Sequence, residues 1–521
     1  MLALPLGAQA PKKVTPRRAP APPPVAVPCA TSDSSCVAPE LRREFRGVWV
    51  AAVSNIDWPS KPGLSTAEQK EELLAILDRA QAAHLNAVVL QIRPAADALY
   101  KSSIEPWSEY LTGRQGRAPK PAWDPLAFAV EHAHQRGLEL HTWFNPYRAK
   151  HPSAKGPLSK RHLANTSPAL VKKYGTHLWM DPGETAVRKR TLRVVLDVVK
   201  RYDIDGVHLD DYFYPYKEKT ANGTTEFPDT RSWTRYRKMG GTLSRDDWRR
   251  ENVNTLVRQL NEQIHKTKPW VKFGISPFGI WRPGFPEQIK GFDAYEQLYA
   301  DSKLWWANNW VDYFTPQLYW PIAKPEQSYP VLMRWWGEQN STERHLWLGL
   351  YTSRVRAPTP EGNGLAPSNA WVADEIVAQI DTARAYARAS GTVHFSMKAF
   401  LNDQGGVATR LAERVYGDVA LVPPSPWLSK GAPSAPAVRV RKNTATGGLS
   451  LTMSLPKPQV ARWYLVQTRT AGVWGSKMVA SCPCAEEIVP TQDGALPDRL
   501  VVTALDRAGV ASPAVRLTVV R

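Results

Sequence analysis

From residue 44 onward, short apolar and β-rich runs alternate with longer stretches whose apolar positions recur three and four apart. The strand-like runs are "EFRGVWVAA" from Glu44, "NAVVLQIRP" from Asn86, "LELHTWFNP" from Leu138 and "IDGVHLDDY" from Ile204, then "VKFGISPFG" from Val271, "VDYFTPQLYW" from Val311, "RHLWLGLYT" from Arg344 and "GTVHFSMKA" from Gly391. Between them lie helix-patterned stretches such as "TAEQKEELLAILDRAQAAH" from Thr66, "DPLAFAVEHAHQRG" from Asp124 and "ETAVRKRTLRVVLDVVKRY" from Glu184. Eight alternations of strand and helix predict a (β/α)8 TIM barrel spanning residues 44–421. The Pro-rich "VPPSPWLSKGAPSAP" from Val422 breaks the rhythm and reads as a linker over 422–436. Beyond it, the short alternating runs "AVRVRK", "LSLTMSL", "RWYLVQTRT" and "RLVVTALD" predict a small C-terminal β-sandwich, fibronectin III or Ig-like, over 437–521. That module either stabilises or spaces the barrel, or binds carbohydrate.

The first 43 residues carry no such rhythm. "MLALPLGAQA" resembles the tail half of a secretory signal peptide, and the Pro-rich "PKKVTPRRAPAPPPVAVP" after it reads as flexible. Export to the periplasm or cell envelope is the expectation. No apolar run approaches the ~20 residues that span a bilayer, so no transmembrane helix is expected.

Chemistry in such a barrel sits at the C-terminal ends of the strands. The fourth run ends in adjacent carboxylates, Asp210 and Asp211, followed by three tyrosines that include Tyr212 and Tyr214. Side chains alternate along a strand, so His208, Asp210 and Tyr212 share a face opposite Val207 and Leu209, which suit the helix side. Asp210 therefore points into the barrel mouth. Asp211 faces away unless the strand has ended or bulges there, in which case both carboxylates reach the mouth. An Asp-Asp pair in isolation is commonly a cap or a solvated turn; its place at a strand end, the inward register and the aromatic sequel favour a functional reading.

The same alternation nominates neighbours. These are Gln91 and Arg93, followed by Asp97, on the second run, and Trp143, Asn145 and Arg148 on the third, with His141 beneath them as a satisfied core residue. The fifth run offers Ser276, with Trp281 and Arg282 in its loop; the sixth offers Gln317, Tyr319 and Trp320. Arg, Asn, Gln and Trp at several strand ends supply the dense hydrogen bonding and ring-stacking surfaces that sugars require.

Composition sharpens this picture. The chain carries 21 Trp and 18 Tyr, more aromatic surface than a core of this size needs. Its formal charge of +19 raises nucleic acid as a partner. The Lys and Arg are scattered, with no basic stripe or nucleic-acid motif, so a solvated basic surface is expected, suited to electrostatic association with an anionic envelope. Cys29, Cys36, Cys482 and Cys484 have no zinc-like spacing and lie outside the region that looks catalytic. No metal, cofactor or thiol chemistry is inferred, and the oligomeric state is left open.

The motifs "FRGVWVAAVSNIDWPS", "QIRPAADALYKSSIEPWSEYLTG", "DPLAFAVEHAHQRGLELHTWFNPYR", "YDIDGVHLDDYFYP", "DWRRENVNTLV", "FGISPFGIWR" and "DYFTPQLYW" closely resemble the glycosyl-hydrolase-like 10 family, in order, over roughly residues 42–415. The resemblance implies a TIM-barrel glycoside hydrolase acting on a bacterial envelope polysaccharide, in particular peptidoglycan glycan strands stripped of stem peptides. It does not cover the sandwich, and this chain has Pro283 where many relatives carry Asn. "DGVHLD" is also similar to the "DGFRxD" of the α-amylase superfamily, which would make Asp210 a nucleophile, although the fifth run has no Glu to act as acid. Glycoside cleavage needs a proton donor to the leaving oxygen and stabilisation of an oxocarbenium-like centre. Neighbouring carboxylates also suit substrate-assisted hydrolysis, in which one orients the N-acetyl group, the other donates the proton, and a tyrosine such as Tyr319 stabilises the cyclised intermediate. The alternatives are a non-catalytic glycan-binding barrel and a hydrolase of another N-acetylhexosamine polysaccharide.

Overall fold

All eight strand-like runs become strands of one closed, parallel barrel. They are β1 (Phe45–Val50), β2 (Ala87–Arg93), β3 (Glu139–Phe144), β4 (Gly206–Leu209), β5 (Lys272–Ile275), β6 (Tyr313–Phe314), β7 (His345–Leu350) and β8 (Ala389–His394). β8 pairs in parallel with β1, Gly391 opposite Phe45, and closes the ring. The structure, a computed structural model, describes residues 25–220, 223–356, 370–481, 486–492 and 494–520.

The helices form where the sequence supplies starts for them. Ser65 and Glu68 make a reciprocal capping box on Thr66–Ala82, and Asp124 caps Pro125–Gln135 with proline in the first turn. Outward-facing strand residues such as Val48, Leu90, Val207 and Leu209 join the helices in the main core. The barrel interior is a separate cluster dominated by aromatics, among them Phe45, Trp49, Trp143, Tyr313 and Trp347. Rings of this size fit only beside glycine: a methyl group at Gly206 would land in the His141 ring, and one at Gly274 in the Tyr313 ring.

The C-terminal module is a sandwich of two antiparallel sheets. Leu449–Ser454 lies between Ala437–Lys442 and Glu486–Val489, while Trp463–Thr470, Val473–Ala480, Arg499–Leu505 and Val515–Val520 belong to the other sheet. That second sheet gains an edge strand from far away in sequence: Val25–Pro28 pairs antiparallel with Leu517–Val520. The expectation of a flexible N-terminal segment is therefore corrected for residues 25–43. Val25–Pro28 completes the ladder, and a Cys29–Cys36 disulfide follows it. The signal-like residues 1–24 and both Cys482 and Cys484 lie outside the described residues.

The sandwich docks on the face of the barrel where strands begin. Arg462 donates to Asp203 and Asp205, 2.8 Å each, just before β4, and Arg507 donates to Asp203 at 2.5 Å. In the linker, Trp427 donates its indole N–H to Asp312 ahead of β6. The C-terminal strand ends, where the carboxylates sit, are on the opposite side.

Candidate active site

β4 stops at Leu209, so neither aspartate is bound by strand alternation. Both carboxylates turn into one cavity of about 320 Å³ at the barrel mouth. Nine of the nominated residues line it: Gln91, Trp143, Arg148, Asp210, Asp211, Tyr212, Ser276, Gln317 and Tyr319.

Each aspartate is held from a different side of the mouth. Asn145, just past β3, donates its amide to Asp210 Oδ2 at 2.5 Å, and the backbone N–H of Tyr212 reaches Oδ1 at 3.3 Å. Asn145 is oriented by Gln91, which donates to its Oδ1 at 2.7 Å while accepting the backbone N–H groups of Ala52 and Val53. Asp211 accepts from the Tyr216 hydroxyl and, at 3.1 Å, from Gln317 Nε2. Burial pushes the Asp210 carboxyl up to about 7; the nearby Arg148 charge opposes this and the Asp211 charge adds to it. Burial raises Asp211 as well, against the hydrogen bonds from Tyr216 and Gln317. Each carboxyl is thus harder to ionise than in water, and the charge of Asp211 adds to the resistance of Asp210.

Below the cavity a hydrogen-bonded column descends the barrel. The indole N–H of Trp49 donates to His208 Nε2 at 3.1 Å, and an indole can only donate. That fixes His208 as the neutral Nδ1–H tautomer, in keeping with burial, which drives its pKa well below the usual histidine range. Its Nδ1–H then donates to the Tyr313 oxygen (3.1 Å), Tyr313 donates to His141 Nδ1 (2.9 Å), and His141 Nε2–H donates to Glu139 (2.9 Å). Lys272 closes the column on Glu139 at 2.7 Å. His141 is thus the satisfied core residue its position predicts, and His208 supports the floor formed by Trp49 and Ser276.

Other nominated residues do not line the cavity. A register shift between Gln91 and Arg93 turns Arg93 aside, where it pairs with Glu105 and donates to the Asn145 carbonyl. Asp97 is buried against Gln115, 3.3 Å away. Tyr214 points into the core among Phe227 and Tyr299, because alternation no longer governs a chain that has left the strand. In the loop after β5, Trp281 stacks on Trp335, and Arg282 pairs with Asp293 and Glu296. Trp320 packs edge-on against Phe278. Of the carboxylates farther along the chain, Glu226 pairs with Arg249 and Glu287 is exposed.

The sequence reading missed Trp49, Ile56, His151, Tyr351 and Phe395 on the cavity wall, and Tyr216 behind Asp211. Trp49 was legible, since it alternates inward with Phe45 and Gly47 on β1. Tyr216 lies in the same aromatic run as the aspartates. Tyr351 and Phe395 were legible as well, one residue past β7 and β8 in step with inward Trp347 and Val393; His151 lies in the loop after β3, where no barrel register identifies it.

The family model described as "Glycosyl hydrolase-like 10" matches residues 44–363. "Glycosyl hydrolase YngK" of Bacillus subtilis is 42% identical over 425 residues, covering 80% of this chain and 80% of that protein. "Glycosyl hydrolase DigH" of Escherichia coli K12 is 34% identical over 399 residues, covering 71% of this chain and 86% of its own length. Among solved structures, the PgaB (BpsB) glycoside hydrolase domain from Bordetella bronchiseptica is similar over 71% of this chain and 98% of that one, with a TM-score of 0.46 and 13% identity.

Proposed function

This chain belongs to the glycosyl hydrolase-like 10 family, and from that premise we propose that its Asp210–Asp211 pair cleaves a bacterial envelope polysaccharide, foremost peptidoglycan glycan strands lacking stem peptides. The observation that carries the reading is a pair of buried, adjacent carboxyls, both raised by burial, in a cavity walled by Trp49, Trp143, Tyr319 and Tyr351.

Among the described residues, Asp210 and Asp211 are the sole acids lining the cavity. Among the described residues no further carboxylate lines the cavity to serve as a nucleophile or a water-activating base on the opposite face of the sugar. This supports substrate assistance, in which the sugar's own N-acetyl oxygen attacks the anomeric carbon. Asp210, raised to about 7, holds the proton and gives it to the leaving glycosidic oxygen. Asp211, its charge supported by Tyr216 and Gln317, orients the acetamido N–H and balances the positive charge that develops. Tyr319 stabilises the cyclised intermediate from the cavity wall.

Export to the envelope is part of the same proposal. The Cys29–Cys36 bridge supports it, since such bonds persist in oxidising compartments, and the +19 charge suits an anionic wall.

Two measurements test the reading. Mass spectrometry of glycan strands digested with and without stem peptides should show short products from the stripped strands; intact strands would refute the substrate. The roles are tested with an N-acetylglucosaminide bearing a dinitrophenyl leaving group, which needs no protonation. Asp210→Asn should retain much of its turnover on that substrate and Asp211→Asn should not; the reverse pattern exchanges the two roles.

A further inference from the structure

The loop after β3 contains a charge that the dyad does not pair with. Arg148 lines the cavity yet is 3% exposed. Its Nη1 donates to the Pro94 carbonyl at 3.2 Å, and its plane lies over the Tyr212 ring, 4.5 Å from the centroid. Among the described residues it has no carboxylate within ion-pairing distance, and its Nε is buried without a hydrogen-bond partner. A buried guanidinium with unused donors is costly unless an acceptor arrives. Other buried guanidinia meet carboxylates: Arg93 forks onto Glu105, Arg249 onto Asp229, and Arg462, although its Nε is likewise unpartnered, reaches Asp203 and Asp205.

The surrounding loop has the same sign. Residues 145–184 carry seven Lys or Arg against two acids. Those acids are turned away from the cavity, Asp181 to Ser232 and Glu184 to Arg235. Of these basic side chains Arg148 is the one on the cavity wall, so it is the positive charge an entering glycan meets there, beside a dyad that itself carries negative charge.

We infer that Arg148 binds a carboxylate carried by the sugar in the cavity, so that the preferred glycan is acidic beside the cleaved bond. The inference rests on the glycoside hydrolase reading above and narrows its substrate class. A planar guanidinium holds a carboxylate through two parallel N–H bonds, which a neutral amide or ester cannot match. In a glycan of alternating N-acetylhexosamines with ether-linked lactyl groups, that carboxylate is free once stem peptides are removed and is masked as an amide while they remain. A uronic acid would present the same group from a different ring position.

The experiment compares, with the unaltered enzyme, lactyl-bearing glycan strands whose carboxylates are free with the same strands after methyl esterification. A neutral N-acetylglucosamine oligomer and a uronic-acid polymer serve as further arms. A charge-assisted bond predicts about 10- to 100-fold higher kcat/KM for the free acid. Arg148→Gln should bring that ratio close to one, whereas Arg148→Lys should keep part of it. Because each ratio is taken within one enzyme form, any shift that the substitution causes in the dyad cancels. Equal cleavage of acid and ester by the unaltered enzyme, or an undiminished ratio in Arg148→Gln, would overturn the inference while leaving glycan hydrolysis in place. Faster cleavage of the uronic-acid polymer would assign the carboxylate to the ring rather than to a lactyl group. If none of the four substrates is cleaved, the broader proposal fails with it.

Discussion

Replacing Asp210 by asparagine should stop hydrolysis and yet stabilise the folded protein in alkali. The carboxyl titrates at about 7 in the fold against an ordinary 3.8. Between those values the native state binds more protons than the unfolded one, so this group's contribution to stability falls as pH rises through the window. At about 1.4 kcal/mol per tenfold, the native fold above pH 7 carries a cost of about 4 kcal/mol at most for this one carboxylate. Asparagine removes that cost and the repulsion with Asp211. It also brings a new one: Asp210 accepts from both Asn145 and Tyr212, and an amide has a single acceptor oxygen. The displaced donor costs about 1–3 kcal/mol. Urea denaturation followed by tryptophan fluorescence should thus find Asp210→Asn less stable than the parent at pH 4.5 and more stable by about 1–3 kcal/mol at pH 8.5. Glycan turnover should fall by about 100- to 10,000-fold. Asp97 and Asp181, each raised to about 6 by burial, titrate in both proteins and cancel in the comparison. A stability difference that does not change between the two pH values would refute the claim that Asp210 is held protonated.

Tyr216→Phe removes a donor to ionised Asp211, so the acidic limb of the pH–rate profile should move to higher pH; an unmoved limb would mean that Asp211 need not be ionised. Gly274→Ala drives a methyl into the Tyr313 ring and should cost about 1–3 kcal/mol, read as a lower Tm. Arg462→Ala leaves Asp205 buried without its guanidinium, a loss of about 3–5 kcal/mol, and should loosen the sandwich from the barrel by limited proteolysis without changing the dyad's pH profile.

The fold was legible because a parallel barrel writes itself twice, once as apolar runs of strand length and again as helical periodicity between them. Even β6, two residues long in the structure, showed as "VDYFTPQLYW". The site was legible only where side chains were still governed by a strand. Trp143 on β3 follows the register, as do Asn145, Ser276 and Gln317 one or a few residues past strand ends. Beyond that, alternation fails: Tyr214 turned into the core, and Arg93 was displaced by a shift in pairing that nothing in "QIRP" announces. The strand Val25–Pro28 was hidden for another reason. An edge strand pairing with residues almost 500 positions away has no local pattern to mark it, and "VAVP" reads as linker until its partner is known.

The column beneath the site explains how the barrel tolerates so many buried polar groups below its mouth. A buried polar network is costly when any member lacks a partner. Here one donor-only group at the top, the Trp49 indole, determines the direction of every bond from His208 to Glu139, and the Lys272 ammonium supplies the charge that the terminal carboxylate requires. Each ring nitrogen then has one role, donor or acceptor, and the phenol accepts from one histidine and donates to the other. Protonating His208 would break the Trp49 bond at the cavity floor, and the low pKa of this histidine keeps that from happening over the range in which the dyad titrates. The two aspartates can therefore exchange a proton with substrate while the floor beneath them stays in one protonation state. Replacing His208 by asparagine should accordingly widen the pH dependence of KM, through a loosened Trp49 wall, before it alters the pH dependence set by Asp210; a change confined to the Asp210 limb would place His208 in the proton transfer itself.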